Sequence, residues 1–168
     1  MARQNEHADF GIEPATERDV RALLRMIKGL AEYERLSHLV VATEDRLRES
    51  LFGQRPAAEA LVARAGDEAV GFAVFFTNYS TFLAQPGLYL EDLYVEPRWR
   101  GRGLGRRLLA RVAGIAAARG CGRLDWSVLD WNEPALGFYR GIGAEPMQDW
   151  TVFRLSGEAL TRLAGGKD

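Results

Sequence analysis

The stretch Val95-Glu96-Pro97-Arg98-Trp99-Arg100-Gly101-Arg102-Gly103-Leu104-Gly105 concentrates glycine and arginine where a strand is expected to run into a helix. Glycine lets successive backbone N–H groups turn toward one anion, and a helix N-terminus adds partial positive charge at the same point. Arg98, Arg100, Arg102, Arg106 and Arg107 bring formal cations there as well. A pyrophosphate is the natural guest of such a turn. Two familiar phosphate loops do not fit it. A P-loop needs Gly-Lys-Ser or Gly-Lys-Thr, whereas Gly105 is followed by Arg106 and Arg107. A dinucleotide fingerprint would open on Gly101 and Gly103, but Arg106 stands at its third glycine position, and Asp125 lies within a strand rather than at its end. Glu91, in the strand that feeds the turn, is a carboxylate able to accept a proton or to serve as a surface ion-pair partner.

The elements that must hold these residues are readable from spacing. Residues 10–13 form a short first strand stopped by Pro14, and Thr16 with Asp19 three residues on is a weak capping box. Val20, Leu23, Leu24, Ile27, Leu30 and Ala31 follow at helical period, and Thr43 caps a second helix carrying Leu47 and Leu51. Between the two helices, residues 32–42 form a structured loop. Residues 60–64 and 69–77 are apolar strands joined through Gly66-Asp67 as a hairpin. Pro86 and Gly87 are expected to break regular structure over residues 78–87, and residues 88–95 to form the next strand. A helix over 105–119, stopped by Gly120, presents Leu108, Leu109, Val112 and Ile115 inward. Residues 124–129 read as a strand, Asn132 as the cap of a helix with Pro134 in its first turn, residues 150–155 as a final strand, and Ser156 as the start of a terminal helix. Strands and helices alternating around one sheet, with an antiparallel hairpin at the front, give an α/β (or α+β) class: a mixed, twisted central sheet flanked by helices in a single domain. Residues 1–9 read as a disordered tail, 10–164 as the domain and 165–168 as a second tail.

The turn matches the coenzyme A signature Arg/Gln-x-x-Gly-x-Gly/Ala, as Arg100-Gly101-Arg102-Gly103-Leu104-Gly105. Together with Tyr89-Leu90-Glu91-Asp92-Leu93-Tyr94-Val95, Asp130-Trp131-Asn132-Glu133-Pro134 and Phe138-Tyr139-Arg140-x-x-Gly143-Ala144, the chain resembles the Gcn5-related N-acetyltransferases, in the branch of diamine (spermidine/spermine) and thialysine acetyltransferases. The resemblance runs from about Ile12 to Leu163 and implies the GNAT fold, with acetyl-CoA as cosubstrate and a homodimer. It implies acetyl transfer to a primary amine of a small basic metabolite, such as a short diamine, a polyamine, thialysine or ornithine. The rival acceptor is a peptide or protein amine. The segment between Ala144 and Trp150 is shorter than in animal polyamine enzymes, and only Glu145 and Asp149 remain of its acidic residues, which favours the short amines.

Residue by residue, the resemblance assigns coenzyme binding to Leu93, Tyr94, Val95, Arg100, Gly101, Arg102, Gly103, Leu104, Gly105 and Arg106, with strand backbone at 93–95 able to pair with pantetheine amides. Asn132 matches a coenzyme-contacting position and equally suits a helix cap. A lysine-like amine with a pKa near 10.4 is neutral in about one molecule in 10³ at pH 7, so making the nucleophile costs roughly 4–5 kcal/mol. Glu91 matches the glutamate proposed to help remove that proton, through water where the charged carboxylate would otherwise stabilise the ammonium. Tyr139 matches the tyrosine that donates a proton to the departing thiolate, or is a core aromatic beside Phe138. Tyr33, Glu34, Glu91, Asp92, Asp125, Trp126 and Ser127 are the candidate substrate contacts, acidic and aromatic as an ammonium requires. Trp99 and Trp126 are pocket or packing.

Composition bounds the rest. The 168 residues suffice for one compact domain, and a formal net charge of −1 gives no global attraction to nucleic acid or anionic membrane. A nucleic-acid regulator using the arginine cluster, and an acetyl-CoA-sensing module without turnover, are the readings from other classes. The first lacks interleaved stacking residues; intact Glu91 and Tyr139 argue against the second. His7 and His38 have no ligand spacing with Cys121, so no metal is expected, and a lone cysteine fits a reducing, cytoplasmic setting.

Overall fold

A computed structural model describes residues 10–166; the tail expected at residues 1–9, and residues 167–168 of the second tail, lie outside it. The described chain falls into two compact units meeting after Leu129. The first holds one five-stranded sheet in the order β1 (Phe10–Pro14), β2 (Glu59–Ala65), β3 (Glu68–Ser80), β4 (Gln85–Val95), β5 (Leu124–Trp126). The pairs β1–β2, β2–β3 and β3–β4 are antiparallel, and β4–β5 is parallel. The first unit also carries helices α1 (Val20–Tyr33), α2 (Glu44–Phe52) and α3 (Leu104–Ala118); α4 (Glu133–Gly141) and α5 (Gly157–Ala164) belong to the second. No helix among the described residues is long and apolar enough to cross a membrane. The expected mixed sheet is present in the first unit, together with three of the helices.

Local signals account for these elements. Asp19 accepts from the Thr16 N–H at 2.8 Å, closing the capping box, and its buried carboxylate is also paired with Arg64 on β2. Thr43 caps α2 by accepting from the Arg46 N–H. On one face of the sheet, Leu23 and Met26 of α1 and Leu51 of α2 pack against Val62, Phe72 and Tyr94. On the other, Gly71 lets β3 approach Leu108 of α3; a Cβ there would stand 2.9 Å from the Tyr94 carbonyl oxygen and 3.4 Å from Leu108 Cδ1. Gly29, inside α1, leaves room for the Tyr94 ring, whose hydroxyl would lie 2.6 Å from an added Cβ.

The feature that positions the site is a bulge in β4. Its register with β3 passes from Val74↔Asp92 directly to Phe75↔Leu90, leaving Glu91 without a partner. Side chains alternate between sheet faces, so one extra residue reverses the alternation beyond it. Leu90 shares a face with Phe75, whereas Asp92 shares one with Val74, which packs against the α1-side core. Were the alternation unbroken through Glu91, Asp92 and Tyr94 would follow Leu88 and Leu90 onto the α3 face. The β4–β5 pairing also ends at Leu90↔Trp126, so the β5-side edge of β4 is unpaired from Glu91 to Val95 among the described residues.

Three expectations from sequence are corrected. Residues 78–87 are regular except for the turn at 81–84: β3 runs on to Ser80 and β4 starts at Gln85. Pro86 is tolerated because its carbonyl, not its absent N–H, serves the structure, accepting from the Gly122 N–H at 2.8 Å. Gly87 makes space for the Asn78 side chain, which an added Cβ would meet at 2.3 Å. The strand expected over 124–129 stops at Trp126, because β4 turns away at its bulge and offers no ladder beyond Leu90. Residues 150–155 form no strand; their apolar alternation has strand character, but a strand exists only where backbone groups pair, and the sheet ends at β5.

Gly71→Ala tests the close approach of β3 to α3. The added methyl meets backbone rather than a flexible chain end, so a loss of about 1–3 kcal/mol is expected in denaturant unfolding. An unchanged midpoint would show that the layers yield without cost.

Candidate active site

The glycine-rich turn stands where the sequence placed it, at the mouth of α3. Pro97–Trp99 makes one 3₁₀ turn, Arg100 returns to extended backbone, and Gly101 and Gly103 adopt φ of 74° and 78°. Residues with a Cβ rarely hold such angles, so both glycines are required by conformation. A Cβ at either would meet nothing within 4 Å, so conformation rather than crowding calls for glycine there. The first backbone bond of α3 runs from the Arg107 N–H to the Gly103 carbonyl. The N–H groups of Leu104, Gly105 and Arg106 thus precede the helical ladder and are the donors a phosphate would take. This cradle fits a pyrophosphate.

The five arginines divide their work. Arg98 pairs with Glu68, and Arg107 donates to the Phe10 carbonyl at 2.7 Å. Arg100 Nε donates to the Val95 carbonyl at 2.8 Å, and its guanidinium lies over the Tyr33 ring at 4.6 Å and the Tyr94 ring at 5.5 Å. Arg102 stacks on Trp99 at 4.9 Å. Trp99 itself packs edge-on against Phe10 with centroids 5.7 Å apart, so its role is packing. All five arginines are exposed, and Arg98, Arg100 and Arg107 are the ones tied by hydrogen bonds to other described residues. Three of the cations counted from sequence hold the turn to its neighbours.

Leu93, Tyr94 and Val95 lie on the part of β4 whose β5-side edge is unpaired, the site a second extended chain of amides would add to. Just before them in β4 stand two carboxylates, Glu91 and Asp92, and a third, Glu34, acts on Asp92 from the end of α1. Glu91 is exposed at the bulge. Burial, followed by the charges of Glu91 and Glu34, pushes the Asp92 carboxyl up from 3.8 to about 6. Burial likewise raises Glu34, at the C-terminal end of α1. The bulge and the end of α1 therefore gather Glu34, Glu91 and Asp92 into one field of negative potential, with Tyr33 alongside. Nothing in the sequence distinguished Asp92 as the perturbed member; that follows from the reversed alternation that carries it under α1.

The remaining candidates are placed differently. The Asp125 carboxylate is held by Arg123 at 2.8 Å and by the Asn78 side-chain amide at 3.2 Å, so it works as a structural partner of β5. Ser127 shares a hydrogen bond of 2.6 Å with the Tyr89 hydroxyl, and the Tyr89 ring stacks on Phe76 at 5.2 Å. Trp126 closes β5 opposite Leu90. In the second unit, Asn132 caps α4 by accepting from the Ala135 N–H at 3.3 Å. Tyr139 lies in α4, half-buried and tilted against Phe138 with centroids 5.2 Å apart. Among the described residues no group of three or more His, Cys, Asp or Glu side chains has the geometry of a metal site.

Comparison with known proteins converges on one family. The profile of the acetyltransferase (GNAT) family matches residues 24–144. A thialysine N-epsilon-acetyltransferase of Bos taurus is 39% identical over 165 residues, covering 92% of this chain and 96% of its own. An L-ornithine N5-acetyltransferase of Arabidopsis thaliana is 33% identical, covering 90% and 86%. Among solved structures, an integron cassette protein from the mobile metagenome of V. cholerae superposes with a TM-score of 0.78 at 27% identity, over 92% of this chain and 97% of that one.

The raised Asp92 carboxyl has a signed consequence for stability. Unfolded, it ionises near 3.8; folded, near 6. Between those values the folded state binds the extra proton, so stability falls as pH rises, and above pH 6 the whole penalty is present. Asp92→Asn removes it. The variant is expected to gain about 2–3 kcal/mol over the parent at pH 7.5 and nothing below pH 4, read by urea unfolding across that range. A gain independent of pH would dissociate Asp92 from the effect.

Proposed function

The chain belongs to the acetyltransferase (GNAT) family, and on that premise we propose that it transfers acetyl from acetyl-CoA to a primary amine of a small dibasic metabolite such as thialysine or ornithine. As a member of that family it is an N-acetyltransferase. The observation that carries the choice of acceptor is the gathering of Glu34, Glu91 and Asp92 at the bulge, beside the free edge of β4. Such a field attracts ammonium groups and repels anionic peptides.

The residues fit the coenzyme. The turn between Gly101 and Arg106 would hold its pyrophosphate and the edge at Leu93–Val95 its pantetheine arm, and the bound molecule supplies an activated acetyl thioester. Glu91 takes the amine proton, directly or through one water, and Tyr139 gives a proton to the sulfur that leaves. Asp92 holds the amine by charge. A second reading exchanges the carboxylates: a base works best when its pKa approaches the working pH, and Asp92, at about 6, is nearer to it than an ordinary carboxylate. Assembly as a homodimer is part of the proposal. Trp150, Val152, Phe153 and Leu163 are each exposed, to 71–92%, and association would take such apolar side chains out of water.

The decisive assay is acetyl-CoA with a panel of amines, read by thiol release. Thialysine and ornithine are expected to turn over, and N-terminal peptides to lag by at least an order of magnitude; preferential acetylation of peptides would overturn the acceptor. Tyr139→Phe should lower kcat about 10²-fold while acetyl-CoA binding by calorimetry stays within a factor of about three. Full turnover in that variant removes Tyr139 from the mechanism.

The pH profile separates the two carboxylates. With Glu91 as base, Glu91→Gln loses about 10²-fold in kcat/KM while Asp92→Asn keeps a profile with its acid limb displaced. With Asp92 as base, the acid limb near pH 6 disappears in Asp92→Asn along with most activity.

A further inference from the structure

Arg100 occupies the first position of the coenzyme signature, where its charge alone would make it a phosphate ligand. Its geometry gives it another task. Nε is committed to the Val95 carbonyl at 2.8 Å, and the guanidinium carbon lies over two tyrosine rings, 4.6 Å from the Tyr33 centroid and 5.5 Å from that of Tyr94. Tyr94 is buried in β4, with its hydroxyl against Gly29 of α1. Tyr33 is the last residue of α1, and Glu34 is its C-cap. The arginine therefore ties the phosphate turn to the end of the helix that delivers a carboxylate to the amine pocket.

That helix end is a demanding piece of backbone. Arg35 adopts φ of 62°, a left-handed conformation that a residue with a Cβ seldom takes. The turn closes on itself through the Glu34 N–H to the Leu30 carbonyl at 2.9 Å, Arg35 to Glu32 at 3.1 Å and Leu36 to Ala31 at 2.8 Å. Backbone of this kind persists where surrounding contacts fix it. The stack of Tyr33 on Arg100 is such a contact, and it lies on the residue adjoining Glu34.

We propose that Arg100 is a positioning residue: clasped by Tyr33 and Tyr94, it fixes the end of α1 so that Glu34 stands beside Glu91 and Asp92, linking the coenzyme turn to recognition of the amine. The proposal rests on the acceptor reading given above. Lysine keeps the charge that a phosphate would need but has neither the planar face nor the Nε donor. Arg100→Lys thus separates a clasp from a phosphate ligand.

Two measurements test it, and only one depends on the acceptor. The first is hydrogen exchange of the Glu34, Arg35 and Leu36 amides in the full-length protein. Arg100→Lys and Tyr33→Leu should each speed their exchange about tenfold or more while the α3 amides keep parental rates; unchanged exchange at 34–36 overturns the clasp whatever the substrate. The second uses thialysine. Arg100→Lys should raise its KM about tenfold, with the KM for acetyl-CoA moving less than about twofold. In a Glu34→Gln background, where KM is already raised, Arg100→Lys should add nothing further. Additive effects, near a hundredfold together, or a rise confined to the acetyl-CoA KM, would make Arg100 an independent ligand. If exchange responds as expected and no amine of the panel is acetylated, the clasp stands and the acceptor reading falls.

Discussion

Strand β4 is bonded to β3 along nearly its whole length and to β5 along only part of it, and both patterns change at Glu91. A strand cannot bend away from one neighbour while staying in register with the other unless it carries an extra residue, and the bulge is that residue. Three consequences follow from it together. The edge of β4 from Glu91 to Val95 is left unpaired toward β5, Asp92 and Tyr94 are turned to the α1 face, and Glu91 is left exposed at the kink. A sheet with regular alternation would bury Asp92 and Tyr94 among the leucines of the α3 face.

The electrostatics of the two halves of the site are opposed by construction. The turn into α3 offers backbone amides, a helix N-terminus and the exposed Arg102 and Arg106 to an anion. A few residues earlier in the strand, burial and then the charges of Glu91 and of Glu34 at the end of α1 raise the proton affinity of Asp92. Arg100 lies between these regions and is largely spent on neither, because its hydrogen bond goes to backbone and its faces to tyrosine rings.

What the sequence disclosed, and what it withheld, follows physical lines. Capping at Thr16, Thr43 and Asn132, the Gly66-Asp67 hairpin and the α3 stripe were legible because each is a local pattern with a local cause. The glycine turn was legible because Gly101 and Gly103 each hold a backbone angle that other residues seldom take. The bulge was not: an inserted residue in a strand has no signature of its own until its partner strand is known. The same ignorance of partners lengthened β5, denied Asn78 and Gln85 their strand positions, and made a strand of residues 150–155. Asp125 resembled a substrate acid in sequence because Arg123 is two residues away in the chain and Asn78 much farther, and only the fold brings both to it. Sequence weighed the five arginines equally; Glu68, Tyr33 and Phe10, which help hold Arg98, Arg100 and Arg107, come from separate elements.

Gly29 and Tyr94 carry a consequence of a different kind. A glycine in the interior of α1 costs roughly 1 kcal/mol of helix propensity relative to alanine, and the phenol of Tyr94 fills the notch it leaves. Size at the two positions is thus exchangeable but not independent: any side chain at 29 needs the hydroxyl withdrawn, and a smaller ring at 94 opens a void that alanine at 29 would fill. Sequence drift across this helix–strand contact must move in pairs, and a lone change at either position passes first through a less stable protein.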